Sequence, residues 1–388
     1  MKSPIPIQEL EASAGGIDTA ISLPPETFTS EEFYRFELDA VWGHEWFCIG
    51  RANDIPNPGD YFTVTVGNDP LIAVRGRDNT IRVLANVCQH RAMPLVDGEK
   101  GSCRRFQCPY HAWVYGLDGQ LQSAPLLNDS PSFDKSKVKL PEVRSEIWEG
   151  FVFVTFDDGI PPLADRLGEL SEYLRNWDIA NLHSAEPQKF VDYDFNWKIL
   201  GDECYHCLYL HSQSWCTMYP TSAEQINFHA TFNDVEKGIV GYELLSVEEG
   251  SSPTRTGHVL QPYLPNLTTE QRALLSYVTI APNLLIIAMP DKVKYFHWLP
   301  SGPTSCKFAA TWMYPESTMA LPGFHEQWKQ EVEDLALVMR EDEYAWLGAQ
   351  RGMHSRFAPR GRYAPPEEVL VRLNQWLFTK YREADARA

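Results

Sequence analysis

The sequence predicts an α+β chain in which an N-terminal all-β module precedes an antiparallel sheet closed by C-terminal helices. Three observations predict it. Between Trp46 and Phe156 apolar residues recur at a period near two. From 225 to 315 one strand-like run follows another, and two stretches near the end carry helical spacing. Hydrophobic residues make up 44 % of the 388 positions and charged residues 22 %, the mix of a folded chain and not of a disordered one.

Residues 1–26 are rich in Pro and small polar residues, carry no period, and read as an irregular arm. A helix follows. Thr29 with Glu32 three residues on forms a capping box, Phe28 can staple against Phe33, and Phe36, Ala40 and Val41 continue the apolar face. Short β-rich runs lie at 61–66, 71–75, 80–84, 113–115 and 151–156, separated by turn signals at 58–60, 77–79 and 118–119. Beyond them the pattern predicts a helix over 164–177, a strand over 190–196 and a helix over 199–211. Strands are expected at 238–246, 276–281, 284–289, 295–299 and 308–313, then helices at 324–350 and 366–382. The expected domains are 1–45, an arm and helix packing on the last domain; 46–158, the all-β module; and 159–388.

The balance of 34 Lys+Arg against 52 Asp+Glu leaves a net charge of −18. An acidic surface of this size argues against nucleic acid or anionic membrane as the main partner. The longest purely apolar run, 284–289, is far too short to span a bilayer, and the first residues show no leader pattern. A cytoplasmic location is expected. Eight Cys in a reducing compartment direct attention to metal binding.

Cys88-Gln-His90 and Cys108-Pro-Tyr-His111 carry the strongest signal. Each pair offers one thiolate and one imidazole, with 17 residues between the pairs. A zinc finger usually groups two Cys and then two His, so a structural zinc site fits this alternating order less well. A two-iron, two-sulfur cluster fits better, with both Cys on one iron and both His on the other. Arg91, Lys100, Arg104 and Arg105 make a local positive excess beside these loops. It reads equally as a docking patch for an acidic electron donor or as neutralisation of an anionic cluster. Cys103, between the pairs, reads as a spectator.

The flanks Asn-Val-Cys-Gln-His-Arg and Cys-Pro-Tyr-His-Ala-Trp resemble the Rieske family, in its oxygenase branch. Respiratory Rieske proteins usually carry an extra Cys in each loop. Here the neighbouring positions hold Met93 and Tyr110.

A second constellation lies at Glu203-Cys-Tyr-His206-Cys-Leu-Tyr-Leu-His211. Five residues turn a regular helix by roughly 140° from one face, so both imidazoles meet one metal only where the helix bulges or ends. Two His and one carboxylate form the facial triad of non-haem Fe(II) oxygen activation. Asp342 lies inside an apolar stripe of Leu335, Val338, Met339, Ala345, Trp346 and Ala349. A carboxylate there needs a metal or hydrogen bonds, and the stripe alone leaves those two readings equal.

Rieske non-haem iron oxygenases carry an acid, two residues, His, four residues, His, and a distant Asp. Glu203, His206, His211 and Asp342 stand at the matching positions. The resemblance spans roughly 30–382. It implies an N-terminal Rieske iron–sulfur domain and a catalytic helix-grip domain, holding a 2Fe-2S cluster and a mononuclear Fe(II). It further implies a homotrimer in which Glu203 links His206 to the cluster ligand His111 of a neighbouring subunit. Asp is the commoner residue at the bridging position, and Asp202 competes with Glu203 for the role. The implied activity is that of an aromatic-ring-hydroxylating or N-demethylating terminal oxygenase, or alpha subunit. It would take O2, and NAD(P)H-derived electrons from a ferredoxin or flavin reductase, to hydroxylate an organic small molecule. The stretch 203–207 resembles homo-oligomeric members that include N-demethylases of quaternary amines. Two other readings are a stand-alone Rieske electron carrier, which needs only about 150 residues, and a zinc-stabilised ligand-binding module. Cys204 and Cys207 form a CxxC around His206 and read as pocket-lining or packing thiols. Trp215, Tyr219 and Tyr295 read first as core, with a cavity-lining role as the alternative.

Overall fold

Along 60–66 the side chains alternate between core and surface, with Phe62, Val64 and Val66 inward and Thr65 exposed. A strand with one buried face is the outcome. The computed structural model describes residues 1–127, 130–201, 226–227, 234–245 and 249–388. They divide into two units, 1–43 with 161–388, and 44–160.

The 44–160 unit is all-β. Strands β1 (Phe47–Arg51), β2 (Asp60–Val66), β3 (Asp69–Arg75), β4 (Ile81–Ala85), β5 (Lys100–Ser102), β9 (Glu142–Trp148) and β10 (Phe151–Thr155) form an antiparallel sheet ordered β1-β10-β9-β4-β3-β2-β5. Gly67, at φ 57°, supplies the left-handed position of the tight β2–β3 turn. Strands β6 (Phe106–Gln107), β7 (Val114–Tyr115) and β8 (Leu121–Ser123) make a second, three-stranded sheet. Ile72, Val74, Leu84, Phe106, Tyr115 and Leu140 share one core with Cys88, Cys108 and Trp113, so both cysteines grow out of the packed interior.

The larger unit is an antiparallel sheet with helices. Its sheet contains β11 (His183–Ser184), β12 (Val191–Tyr193), β13 (Ile226–Asn227), β14 (Ile239–Leu245), β15 (Leu274–Ile280), β16 (Leu284–Ala288), β17 (Val293–Gly302) and β18 (Ser305–Tyr314). Strands β14 to β18 follow one another as a meander. The helices are α1 (Ile7–Glu11), α2 (Glu31–Glu37), α3 (Leu163–Leu174), α4 (Lys198–Gly201), α5 (Glu316–Met319), α6 (Phe324–Met353) and α7 (Glu368–Arg387). Among the described residues none is long and apolar enough to cross a membrane.

Three expectations need correction. The arm contains the short helix α1, whose Leu10 is buried. The cap of α2 is Ser30, which accepts from the Phe33 amide at 3.2 Å. Thr29 instead donates to the Pro25 carbonyl, so the helix starts later than the capping box implied. On α6 the innermost residues are Phe324, Trp328, Glu331, Asp334, Asp342, Trp346 and Gln350, whereas Leu335, Val338, Met339 and Ala345 are half-buried and Ala349 is exposed. Polar side chains take these inner positions because partners distant in sequence meet them. Lys292 and Tyr314 bond Glu331, and Arg255 bonds Asp334.

A buried hub ties the chain's two extremes to α4. Glu37 and Lys198 are 1 % and 2 % exposed and pair at 2.9 Å. Trp197 Nε1 donates to Glu37 at 2.8 Å, and Tyr381 donates its hydroxyl to the other carboxylate oxygen. The Lys198 ammonium also lies 5.0 Å from the Phe28 ring and 5.2 Å from that of Trp197. Removing one partner of so enclosed a pair leaves an uncompensated charge. Lys198→Met is expected to cost about 3–5 kcal/mol in denaturant unfolding, and Lys198→Met with Glu37→Gln to recover part of that loss.

Candidate metal centres

Two hairpins of the same shape present the first four predicted donors. In each, the Cys amide donates to the carbonyl five residues on, Met93 at 2.9 Å and Trp113 at 2.8 Å. The residue four on, Ala92 or Ala112, returns its amide to the Cys carbonyl at 2.9 and 3.0 Å. Both alanines adopt left-handed backbone, φ 57° and 58°. The matching turns bring like donors together. Cys88 and Cys108 lie side by side in the core, and the His90 and His111 rings meet edge to face at 4.6 Å. Trp113 stacks on His90 at 4.8 Å.

This arrangement can hold an iron–sulfur cluster. The Nδ1 atoms of His90 and His111 are buried and have no hydrogen-bond partner among the described residues. Such atoms are costly unless something binds them. Burial first, then the neighbouring His111 and Arg91, hold the His90 imidazole below its ordinary pKa, towards the neutral form a metal needs. Among the described residues no three His, Cys, Asp or Glu side chains group around one metal ion. The four donors stand as a sulfur pair and a nitrogen pair, which two irons bridged by sulfide would join.

Tyr115 was not anticipated as part of this site. Its hydroxyl lies 3.4 Å from Cys88 Sγ and accepts from the Gln89 amide at 3.0 Å. With Cys88 ionised as a metal ligand, the phenolic O–H is the donor this contact offers to the sulfur. Its only sequence signal is a buried aromatic in β7, which periodicity reads as core. Hydrogen bonds to cluster sulfur raise the reduction potential. Tyr115→Phe is expected to lower it by on the order of 40 mV, the one-electron equivalent of about 1 kcal/mol, as measured by redox titration of the visible bands.

Of the basic residues, Arg91, Arg104 and Arg105 are exposed, but Lys100 is paired with Asp54 at 2.9 Å. The positive surface near the hairpins is therefore smaller than the sequence suggested. Cys103 packs half-buried against the core, and burial pushes its thiol pKa up, as suits a spectator.

Of the donors expected for the second centre, the structure describes Asp342 and its surroundings. Asp342 is 2 % exposed on the inner side of α6. Two turns on, Gln350 accepts from the Asn196 amide at 2.8 Å and donates to the Phe28 carbonyl at 3.1 Å. Asn196 in turn donates to the Pro303 carbonyl at 2.7 Å and accepts from the Lys198 amide at 3.0 Å. The helix carrying Asp342 thus clamps the start of the segment leading to His206 and His211. Glu203, His206 and His211 lie outside the described residues, as do Asp202, Cys204, Cys207, Trp215 and Tyr219. Tyr295 is buried and donates to Gln188 at 3.0 Å, a core role.

Two family models match the chain. The Rieske [2Fe-2S] domain model covers residues 45–134. The catalytic-domain model of the ring hydroxylating alpha subunit covers 177–383, more than half of the chain. The chain belongs to the ring-hydroxylating oxygenase alpha-subunit family. This oxygenase subunit is 35 % identical to the glycine betaine monooxygenase oxygenase subunit of Chromohalobacter salexigens over 378 residues, 90 % of this chain and 83 % of the relative. It is 37 % identical to the large oxygenase component of the Pseudomonas putida naphthalene 1,2-dioxygenase system over 194 residues, 47 % of this chain and 43 % of that one. Among solved structures, the quaternary ammonium Rieske monooxygenase CntA in complex with an inhibitor matches with TM-score 0.79 at 21 % identity, covering 98 % of this chain and 100 % of that one; the likeness is one of fold. As a family member the oxygenase uses a Rieske 2Fe-2S cluster and a mononuclear iron.

Proposed function

We propose that this oxygenase removes a methyl group from a quaternary ammonium compound. One observation carries the choice over ring hydroxylation. The relative aligned along 90 % of the chain is a glycine betaine monooxygenase oxygenase subunit, whereas the naphthalene 1,2-dioxygenase component aligns along 47 %. Cys88 and Cys108 hold one iron of the cluster and His90 and His111 the other. His206, His211 and Asp342 hold the mononuclear Fe(II). Glu203 links His206 to His111 of a neighbouring subunit in a homotrimer. In this reading residues 46–158 carry the cluster, 159–388 catalysis, and 1–45 form an arm and helix packing on the catalytic domain. The protein works in the cytoplasm. The match over 177–383 and the buried Asp342 speak against a stand-alone electron carrier.

When bound, the cluster stores one electron and the mononuclear iron activates O2. The residues of this chain do the positioning. The paired hairpins present the four donors as a sulfur pair and a nitrogen pair, and Tyr115 tunes the sulfur side. Gln350 and the Glu37 hub fix where the His-bearing segment begins relative to Asp342. Overall, N–CH3, O2, two electrons and two protons give N–CH2OH and water. The N–CH2OH then loses formaldehyde and a proton to leave the tertiary amine.

The test supplies a ferredoxin or flavin reductase with NAD(P)H and O2, and screens quaternary amines and aromatics. Formaldehyde equal to the oxygen consumed is expected. A dihydrodiol with no formaldehyde would overturn the reading. Donor docking on Arg91, Arg104 and Arg105 predicts that cluster reduction slows several-fold between 50 and 200 mM salt. Stopped-flow bleaching of the cluster checks this, and a flat salt profile removes the patch from the docking surface.

A further inference from the structure

Lys294 is a buried cation whose hydrogen-bond donors are unused among the described residues. It lies on β17, is 6 % exposed, and engages the Trp312 ring, whose centroid is 5.5 Å from Nζ. The acids nearest to it are already taken. Both Asp291 oxygens accept from Lys292, at 2.8 and 2.9 Å. Glu331 accepts from Lys292 at 3.0 Å and from the Tyr314 hydroxyl at 2.9 Å. Asp334 faces Arg255 Nε at 2.5 Å and accepts from the Arg255 amide at 3.2 Å. Their field reaches Lys294 but their oxygens do not bond it. Burial first, then Lys292, lowers the Lys294 pKa to about 8, so the ammonium still prevails at neutral pH.

Its position gives this cation a use. Lys294 pairs with Trp312 on one side and Ile287 on the other, so the three share a sheet face. Trp312 packs with Trp328, and Val332 and Leu335 of the same helix pack against that cluster, so this is the face α6 covers. Asp342 lies seven residues past Leu335, about 10 Å along the helix. A buried ammonium whose donors are unused among the described residues is matched by a carboxylate, through short charge-assisted bonds. An aromatic hydrocarbon has nothing to offer it.

We infer that Lys294 holds the carboxylate of a substrate that carries its oxidised N-methyl group at the other end. This rests on the reading of the chain as an oxygenase of small organic molecules. The same charge repels a quaternary ammonium, so it also sets direction: the carboxylate lies against Trp312 and the methyl groups point towards Asp342.

The test is isothermal titration of the iron-loaded, oxygen-free enzyme with glycine betaine, carnitine and benzoate, each beside its carboxamide. At least one carboxylate is expected to bind wild type and to bind Lys294→Met and Lys294→Gln 10- to 100-fold more weakly. Its carboxamide should bind all three proteins alike. Lys294→Arg should stay within a few-fold of wild type. Both neutral variants should melt at or above the wild-type temperature at pH 7, since they no longer bury a charge. Equal carboxylate binding by wild type and both neutral variants would overturn the inference. So would wild type that binds no carboxylate, or a lowered melting temperature with loss of both metal centres. Oxygen uptake separates this from the functional reading. Turnover of an amine together with no Lys294-dependent carboxylate binding leaves the oxygenase and removes the carboxylate site. Carboxylate binding that depends on Lys294 without oxygen uptake on any substrate keeps the site and removes the oxygenase reading.

Discussion

Asp342→Ala is expected to give a protein that keeps its cluster colour and no longer turns over. The carboxylate sits on the inner side of α6, 2 % exposed, where its anionic oxygens have no access to bulk water. In the proposed triad it supplies the one negative charge that offsets ferrous ion, against two neutral imidazoles. Without it, mononuclear iron should fall from about one per chain towards zero, and kcat/KM by on the order of 10³-fold or more. Asp342→Asn keeps the shape and removes the charge, so it should retain iron only at high ferrous concentration. Metal analysis alongside the visible spectrum checks both. Retained iron and turnover in Asp342→Ala would move the ligand to another acid. The cluster should be unaffected because Cys88, His90, Cys108 and His111 are built on the core of residues 44–160.

The converse substitution, Cys108→Ser, should erase the cluster and leave the other iron. Cys108 stands beside Cys88 at the base of two matched hairpins, and both sulfurs belong to the packed core. A serine oxygen is a poor replacement for thiolate at iron in a sulfide-bridged site. Acid-labile sulfide and the visible bands should drop to near zero, and electrons from the reductase should no longer reach oxygen. Ferrous binding at the catalytic domain should persist. Paired with Asp342→Ala, this variant separates the two centres by chemical assay alone.

These sites differ in how far they could be read without coordinates. The four proposed cluster donors could be picked out because each pair sits in one short stretch of sequence, and the structure gives the two turns the same local bonds at Cys88 and Cys108. The meander β14 to β18 was legible because its strands are consecutive and β-rich, although the strand ends moved by one to three residues. Asp342 stood out because a carboxylate on an apolar stripe is a local anomaly. The stripe itself was only half right. Glu331, Asp334 and Gln350 turn inward through partners 17 to 322 residues away, which helical spacing cannot register. Lys294 was invisible for a related reason. It lies just outside the strand expected at 295–299, and nothing along the sequence says that its side chain is buried.

The Glu37 hub has a temporal consequence. Its carboxylate waits for Trp197 and Lys198, and then for Tyr381, 344 residues downstream. A nascent chain on the ribosome cannot close that knot until its final helix has emerged. The stretch 44–160 is contiguous and holds all four proposed cluster donors, so it can be complete much earlier. Chain connectivity therefore lets the unit that carries the proposed cluster donors fold before the final helix closes the other unit.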